Sequence, residues 1–276
     1  MGGETEVENI VMTNNFFSKT KGMEQSRIDL LAIVIPSLMI IIAEMSLFAG
    51  RTKLSIGVHL ILLIILTLFT IIFEDRNRQH VLRAFILLSL LRILNLSMPV
   101  FFEMTLYSYA FIYAPLIISI YVFVKDQGLS YSYLGITRNI RYYELPVALI
   151  ASIVIAVGEF LIIKPGYLIP DLSAFNLLKL SIIMIFFVGL VEEILFRSIL
   201  QRKLEEMIGK YQGLILASVL FGVMHSGYGT PYEIAFTAFA GFIMGGLYIL
   251  RRDLLLVTMV HGFVNILLFG ILPHIA

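Results

Sequence analysis

The chain contains no cysteine. A thiol nucleophile, a disulfide and any thiolate-held zinc or iron–sulfur cluster are therefore excluded. Charge is scarce as well: 14% of its 276 residues are Asp, Glu, Lys or Arg, against about a quarter in an ordinary soluble domain. The net charge is +1 with no basic cluster, so nothing points to a nucleic-acid partner. The start of the chain does not read as a cleavable signal, because Glu4, Glu6 and Glu8 stand where a basic segment is required. Glu6 also breaks the N-myristoylation pattern, which needs Ser or Thr there.

Apolar sequence is what the chain has in abundance. It is 59% hydrophobic with a mean hydropathy of +0.94, the composition of a polytopic membrane protein. A crossing helix needs about 20 apolar residues, and nine stretches qualify: 28–50, 54–73, 81–102, 104–124, 144–163, 175–196, 212–229, 233–250 and 254–272. The third and fourth are either two spans or one re-entrant hairpin around Pro99 and Glu103. The expected fold is an all-α transmembrane bundle of eight or nine spans enclosing an intramembrane polar site. Residues 1–26 read as a polar N-terminal tail, mobile and mixed in charge.

The basic residues orient the bundle. Nine spans place fifteen Lys and Arg on one side and four (Arg51, Lys53, Lys164 and Lys179) on the other, with Arg92 inside a span. The richer side is cytoplasmic by the positive-inside rule, which puts the N-terminus in the cytoplasm. Between the sixth and seventh spans, residues 197–210 alternate charge with a helical stripe of Ile199, Leu200, Leu204, Met207 and Ile208. That pattern predicts an amphipathic helix lying on the cytoplasmic face.

Polar residues inside the apolar runs single out a site, because a charged side chain in hydrocarbon is costly unless paired or facing a cavity. Glu192 and Glu193 are adjacent in SIIMIFFVGLVEEILFRSIL, so on a helix they point about 100° apart and cannot share one role. Glu193 and Arg197 stand at i, i+4 with the acid first, the favourable order for a helical ion pair. Glu192 has no partner nearby in sequence and is the carboxylate available for chemistry. His225 follows in LFGVMHSGYG, and His261 with Asn265 in VTMVHGFVNILL. The last two are again i, i+4 and share one helical face. Taken singly, each His or Asn is an ordinary helix–helix hydrogen bond; together, on successive spans beside a spare carboxylate, they make a constellation.

Other intramembrane polar groups take plainer readings. Glu44 and Arg92 are candidates to pair with each other, and Glu159 sits near a span end where it can reach the interface. His59, His80 and His274 carry no implied role. Gly241 and Gly245 form a small-xxx-small pair suited to close helix packing.

In this order, EEILFR (192–197), FGVMH (221–225) and HGFVN (261–265) resemble the E-E-x-x-x-R, F-x-x-x-H and H-x-x-x-N elements of the CPBP group. These are the CAAX-prenyl endopeptidases of Rce1 type and their prokaryotic relatives, the Abi family. The resemblance covers roughly residues 140–276. It divides the chain into the tail (1–26), a transmembrane scaffold without motifs (27–140) and a protease-like core (141–276). It implies intramembrane peptide-bond hydrolysis, with removal of the C-terminal tripeptide of prenylated CAAX proteins as the Rce1-type substrate. Glu192, helped by His225, would activate a water; His261 and Asn265 would stabilise the oxyanion; Glu193 and Arg197 would support the site. The implied partners are the lipid bilayer and a membrane-protein or lipid-modified peptide substrate. The expected location is integral and multi-pass, in the cell membrane for a prokaryotic chain.

Competing chemistries leave different signatures. H-E-x-x-H, G-x-S-x-G and the G-x-G-D of aspartyl intramembrane proteases are all missing. No cofactor is expected, and a metal held by Glu192, His225 and His261 is the alternative. The alternative functions are a non-proteolytic protein that keeps the motifs, such as a bacteriocin self-immunity protein, or a transporter using the buried Glu and His residues as a proton path.

Overall fold

A computed structural model describes the backbone of residues 3–101, 103–137 and 142–276, and side chains from residue 25 onward except 100–102 and 138–141. Residues 3–26, read from the sequence as a mobile tail, are helical and continuous with the first span; Arg138 and Arg141 of the charge count lie outside the described residues. The chain is an all-helical, multi-pass membrane protein. In hydrocarbon every backbone N–H and C=O must be satisfied within its own segment, and long apolar runs accordingly become helices.

The helices are α1 (Gly3–Phe48), α2 (Thr52–Ile72), α3 (Arg76–Phe101), α4 (Leu106–Asp126), α5 (Glu144–Ile163), α6 (Ala174–Ile208), α7 (Lys210–Val223), α8 (Pro231–Arg251) and α9 (Leu254–Ile275). Among the described residues, eight are long and apolar enough to cross a membrane. The exception is α7. The third and fourth runs form two separate helices and not one hairpin.

The stretch from 197 to 210 corrects the expected surface helix. It continues α6 upright as part of one 35-residue helix. Its polar side is buried in protein: Arg197 and Gln201 are each 1% exposed. Ser198 donates to the Leu134 carbonyl at 2.6 Å, and the Gln201 amide donates to the Gly245 carbonyl at 3.2 Å. An apolar stripe beside a polar one looks the same whether the polar side meets water or protein. Two wide π-type stretches, Ile183–Gly189 and Ile194–Gln201, flank the α-helical turn Leu190–Glu193 that carries both glutamates; such widened turns concentrate at functional sites.

The chain reverses at Gly209, whose φ of 98° lies where a side chain is strongly disfavoured. From there α7 runs back along α6, and at Gly213 a Cβ would stand 2.6 Å from the Glu205 nitrogen. With 14 residues, α7 is about 21 Å long and covers only part of a bilayer core of about 30 Å. It ends within the depth of the bundle, and a short 3₁₀ turn, Ser226–Tyr228, leads on towards α8. At the far end of α8, Arg252 pairs with Glu205 at 2.5 Å and the Leu254 N–H donates to the Gly135 carbonyl at 2.9 Å. The α8–α9 connection therefore lies at the same end as the close of α6, and residues 209–230 carry the chain back across as the ninth pass.

This geometry sets the depth of the polar residues. Glu192 lies 16 residues from the close of α6 at Ile208, and His225 lies 15 residues beyond Lys210. Both are thus about 22–24 Å from the same end, so the two side chains lie at a common depth.

Close approach of α8 to α7 completes the framework. A Cβ on Gly245 would stand 2.5 Å from Leu214, and one on Gly241 3.0 Å from Phe221, so the expected small-residue packing is present. Gly222 is tighter still: its Cβ would stand 2.5 Å from both the Ala238 Cβ and the Ile234 carbonyl oxygen. Gly222→Ala forces the two helices apart and is expected to destabilise the protein by about 1–3 kcal/mol. The midpoint of thermal unfolding in detergent measures this, and an unchanged midpoint would mean that α7 and α8 do not meet there.

Candidate active site

Glu192 on α6, His225 just beyond α7, and His261 and Asn265 on α9 all line one cavity of about 210 Å³. The sequence-derived residues thus converge from three elements. Their surroundings fix what each can do.

Glu193 is fully buried and holds two partners. Its Oε2 lies 3.1 Å from Arg197 Nε, the expected ion pair, and its Oε1 lies 2.8 Å from His261 Nδ1. A carboxylate accepts, so His261 Nδ1 carries the hydrogen. The other ring nitrogen, Nε2, faces Glu192 Oε2 at 3.8 Å. His261 therefore stands between the two adjacent glutamates, oriented by one and turned towards the other.

His225 is oriented in the same sense, by a backbone carbonyl instead of a carboxylate. Its Nδ1 lies 2.9 Å from the Phe221 carbonyl, which only accepts, so Nδ1–H donates and the neutral ring offers a lone pair on Nε2. The Phe221 ring lies 4.9 Å from the His225 ring at a tilt of 49°, meets His261 edge-on at 6.0 Å and lies under the Arg197 guanidinium at 4.6 Å. One aromatic side chain is the packing surface for three polar groups of the site.

Several lining residues come from the scaffold and from polar positions read more plainly in the sequence. Tyr113 on α4 donates its hydroxyl to Glu192 Oε1. Arg92 on α3 and Tyr109 on α4 also line the cavity; the cavity takes residues from both sides of residue 140. Glu159 does not reach the interface: it is 7% exposed and lines the cavity. Asn265 is buried one turn beyond His261 and adds a carboxamide to the same wall.

Behind the cavity lies a buried polar cluster centred on Glu44, which is 0% exposed. Arg92 donates to both of its oxygens, through Nε to Oε1 at 2.6 Å and through Nη2 to Oε2. His59 Nε2 donates to Oε1 at 3.2 Å, and the Ser226 hydroxyl donates to Oε2 at 2.6 Å. His59, with no role legible in sequence, is thus fully buried in a network, where Ser89 donates to its Nδ1 at 3.3 Å. The Glu44–Arg92 pairing considered from sequence forms, and it reaches the active-site strand of chain: Arg92 Nη2 also donates to the Met224 carbonyl.

Among the described residues no group of three His, Cys, Asp or Glu side chains comes together as a metal site. The arrangement provides two carboxylates on the cavity, Glu192 beside the histidines and Glu159, one imidazole presenting a lone pair, and a second imidazole held by a carboxylate.

The Glu193–Arg197 pair generates a test that needs no assay of function. Removing one partner of a buried ion pair strands the other and costs about 3–5 kcal/mol, whereas replacing both with apolar groups is far less harmful. Glu193→Gln is expected to lose stability in that range, and Glu193→Gln combined with Arg197→Met to recover most of it. Unfolding midpoints in detergent of the wild type, Glu193→Gln, Arg197→Met and the double variant close a double-mutant cycle that measures the difference. Equal losses would mean that the pair is not formed.

The chain was compared with known proteins. No curated protein and no solved structure matches it. Residues 174–267 match the family model described as type II CAAX prenyl endopeptidase Rce1-like. The matched stretch runs from the start of α6 past Asn265 on α9, and so contains Glu192, His225, His261 and Asn265. Over this region, about a third of its length, the chain is similar to that family, consistent with the CPBP group of endopeptidases that its three motifs resemble.

Proposed function

We propose that the protein is an intramembrane endopeptidase that hydrolyses a peptide bond with a water activated by Glu192. The observation that carries this reading is the convergence of Glu192, His225, His261 and Asn265 on one cavity within the bundle. In the proposed step the water oxygen bonds to the scissile carbonyl carbon while its proton passes to Glu192. His225 accepts a hydrogen bond from that water at Nε2 and so aims its lone pair. The oxyanion is met by the Asn265 amide and by His261, which donates from Nε2 as an imidazolium standing between the carboxylates of Glu192 and Glu193. Glu192 then returns the proton to the leaving nitrogen as the C–N bond breaks. A positioned acid–base group contributes about 10²–10⁴-fold, and one oxyanion donor about 10²–10³-fold.

The proposed substrate is a prenylated CAAX protein that loses its C-terminal tripeptide, a reading supported by the family match. The proposed orientation places the N-terminus in the cytoplasm, supported by the distribution of Lys and Arg. No metal is proposed, because water activation is assigned to Glu192 and oxyanion stabilisation to side-chain donors.

Cleavage of a farnesylated reporter peptide by the detergent-purified protein tests this mechanism. Glu192→Ala and His225→Ala are expected to lower kcat by about 10²-fold or more, and Asn265→Ala by a similar factor with little change in KM. Wild-type activity in Glu192→Ala would overturn the mechanism. A chelator is expected to leave the rate unchanged; a loss restored by added zinc would reassign the chemistry to a metal.

A further inference from the structure

His225 stands on a stretch of chain with few interactions of its own. α7 ends at Val223, so its carbonyls from Phe221 onward lack the helical partner four residues on. In a buried setting each such group costs free energy unless something donates to it. The local bonds from 224 to 229 are short-range: Met224 N–H to the Leu220 carbonyl at 3.1 Å, His225 N–H to Gly222 at 2.9 Å, and Tyr228 N–H to His225 at 3.2 Å. None of these ties the turn to a neighbouring helix.

The ties come from the N-terminal scaffold, one on each side of His225. Arg92 donates to the carbonyl of Met224, the residue before it. Glu44 accepts from the hydroxyl of Ser226, the residue after it, at 2.6 Å. Arg92 and Glu44 are themselves joined through two hydrogen bonds, so the two ties form one rigid clamp spanning α1, α3 and the turn. His225 then has only its ring torsions left, and Nδ1–H is held by the Phe221 carbonyl at 2.9 Å.

We propose that Arg92 and Glu44 are positioning residues for His225: by gripping the Met224 carbonyl before it and the Ser226 hydroxyl after it, they set where its Nε2 stands in the cavity. This rests on the catalytic role of His225 proposed above. It gives α1 and α3 a part in the reaction rather than in assembly alone. The guanidinium is essential to the device. Arg92 spreads its donors over both Glu44 oxygens and the Met224 carbonyl, whereas a lysine at this position keeps the charge but offers a single centre.

Arg92→Lys, Ser226→Ala and His225→Ala, made in the full-length protein, test the proposal through reporter cleavage and the signals of ¹⁵N-labelled histidine. The chain has five histidines, so the His225 signals are assigned by their disappearance in His225→Ala. Arg92→Lys is expected to stay folded, to lose about tenfold or more in kcat with KM nearly unchanged, and to shift or broaden the His225 Nδ1–H signal. Ser226→Ala is expected to do the same more weakly. On the His225→Ala background, Arg92→Lys should cost nothing further, because its effect passes through that side chain. A full additional loss there would show that Arg92 acts independently of His225, and an unchanged His225 signal in Arg92→Lys would show that the clamp does not position the ring; either result overturns the proposal. If the wild type cleaves no peptide, the protease reading is the one that fails, and the histidine signals alone decide the clamp. Should Arg92→Lys not fold, Ser226→Ala decides by the same readouts.

Discussion

One carboxylate with four donors holds this structure together. An ionised carboxylate has about four lone-pair sites, and at Glu44 each oxygen takes two of the donors: Arg92 and His59 on Oε1, Arg92 and Ser226 on Oε2. Taking a carboxylate and a guanidinium out of water costs several kcal/mol for each ion, and the cost is recovered only when geometry is good and the remaining hydrogen-bonding capacity is filled. Here it is filled, by side chains from α2, α3 and the turn after α7. An arrangement of this kind tolerates few alternatives, because moving any one helix leaves a donor or an acceptor stranded in the interior. It fixes the N-terminal helices relative to the turn that bears His225.

The paired glutamates show how adjacent residues of one type come to differ. Side chains one residue apart on a helix diverge by about 100°, so one faces the packed interior and the other the cavity. Glu193 meets Arg197 and the Nδ1–H of His261, which leaves it holding other groups in place. Glu192 meets the Tyr113 hydroxyl and the open space. Both imidazoles are held through Nδ1–H, His225 by the neutral Phe221 carbonyl and His261 by the Glu193 carboxylate, and each turns Nε2 the other way. Neither tautomer is visible in the sequence, because each follows from an acceptor that the fold brings to Nδ1.

Much of the site was legible because its residues are polar in apolar runs and keep helical spacing. Glu193 and Arg197 at i, i+4 pair as the spacing requires, and His261 with Asn265 share a face towards the cavity. The rest depended on contacts distant in sequence. Ser226 and Glu44 are 182 residues apart, and Tyr113 and Glu192 are 79, with no local pattern to announce either. Residues 197–208 misled because periodicity reports that a helix has two faces and not what covers the polar one.

The spacing of Phe221 and His225 has a physical reason that extends beyond their sequence pattern. Four residues separate a side chain from the carbonyl directly above it on a helix, so a histidine at the frayed end of α7 reaches back to the Phe221 carbonyl and satisfies an acceptor that the helix itself no longer serves. The same residue's ring then packs against His225, His261 and Arg197. Backbone and side chain of one residue thus orient one imidazole and support the other. Because α7 stops short of a full crossing, the His225 backbone N–H turns to the Gly222 carbonyl and the Phe221 carbonyl is left to the imidazole. The short ninth pass is therefore a condition of the site's geometry, and the clamp from Arg92 and Glu44 is what keeps its open end in place.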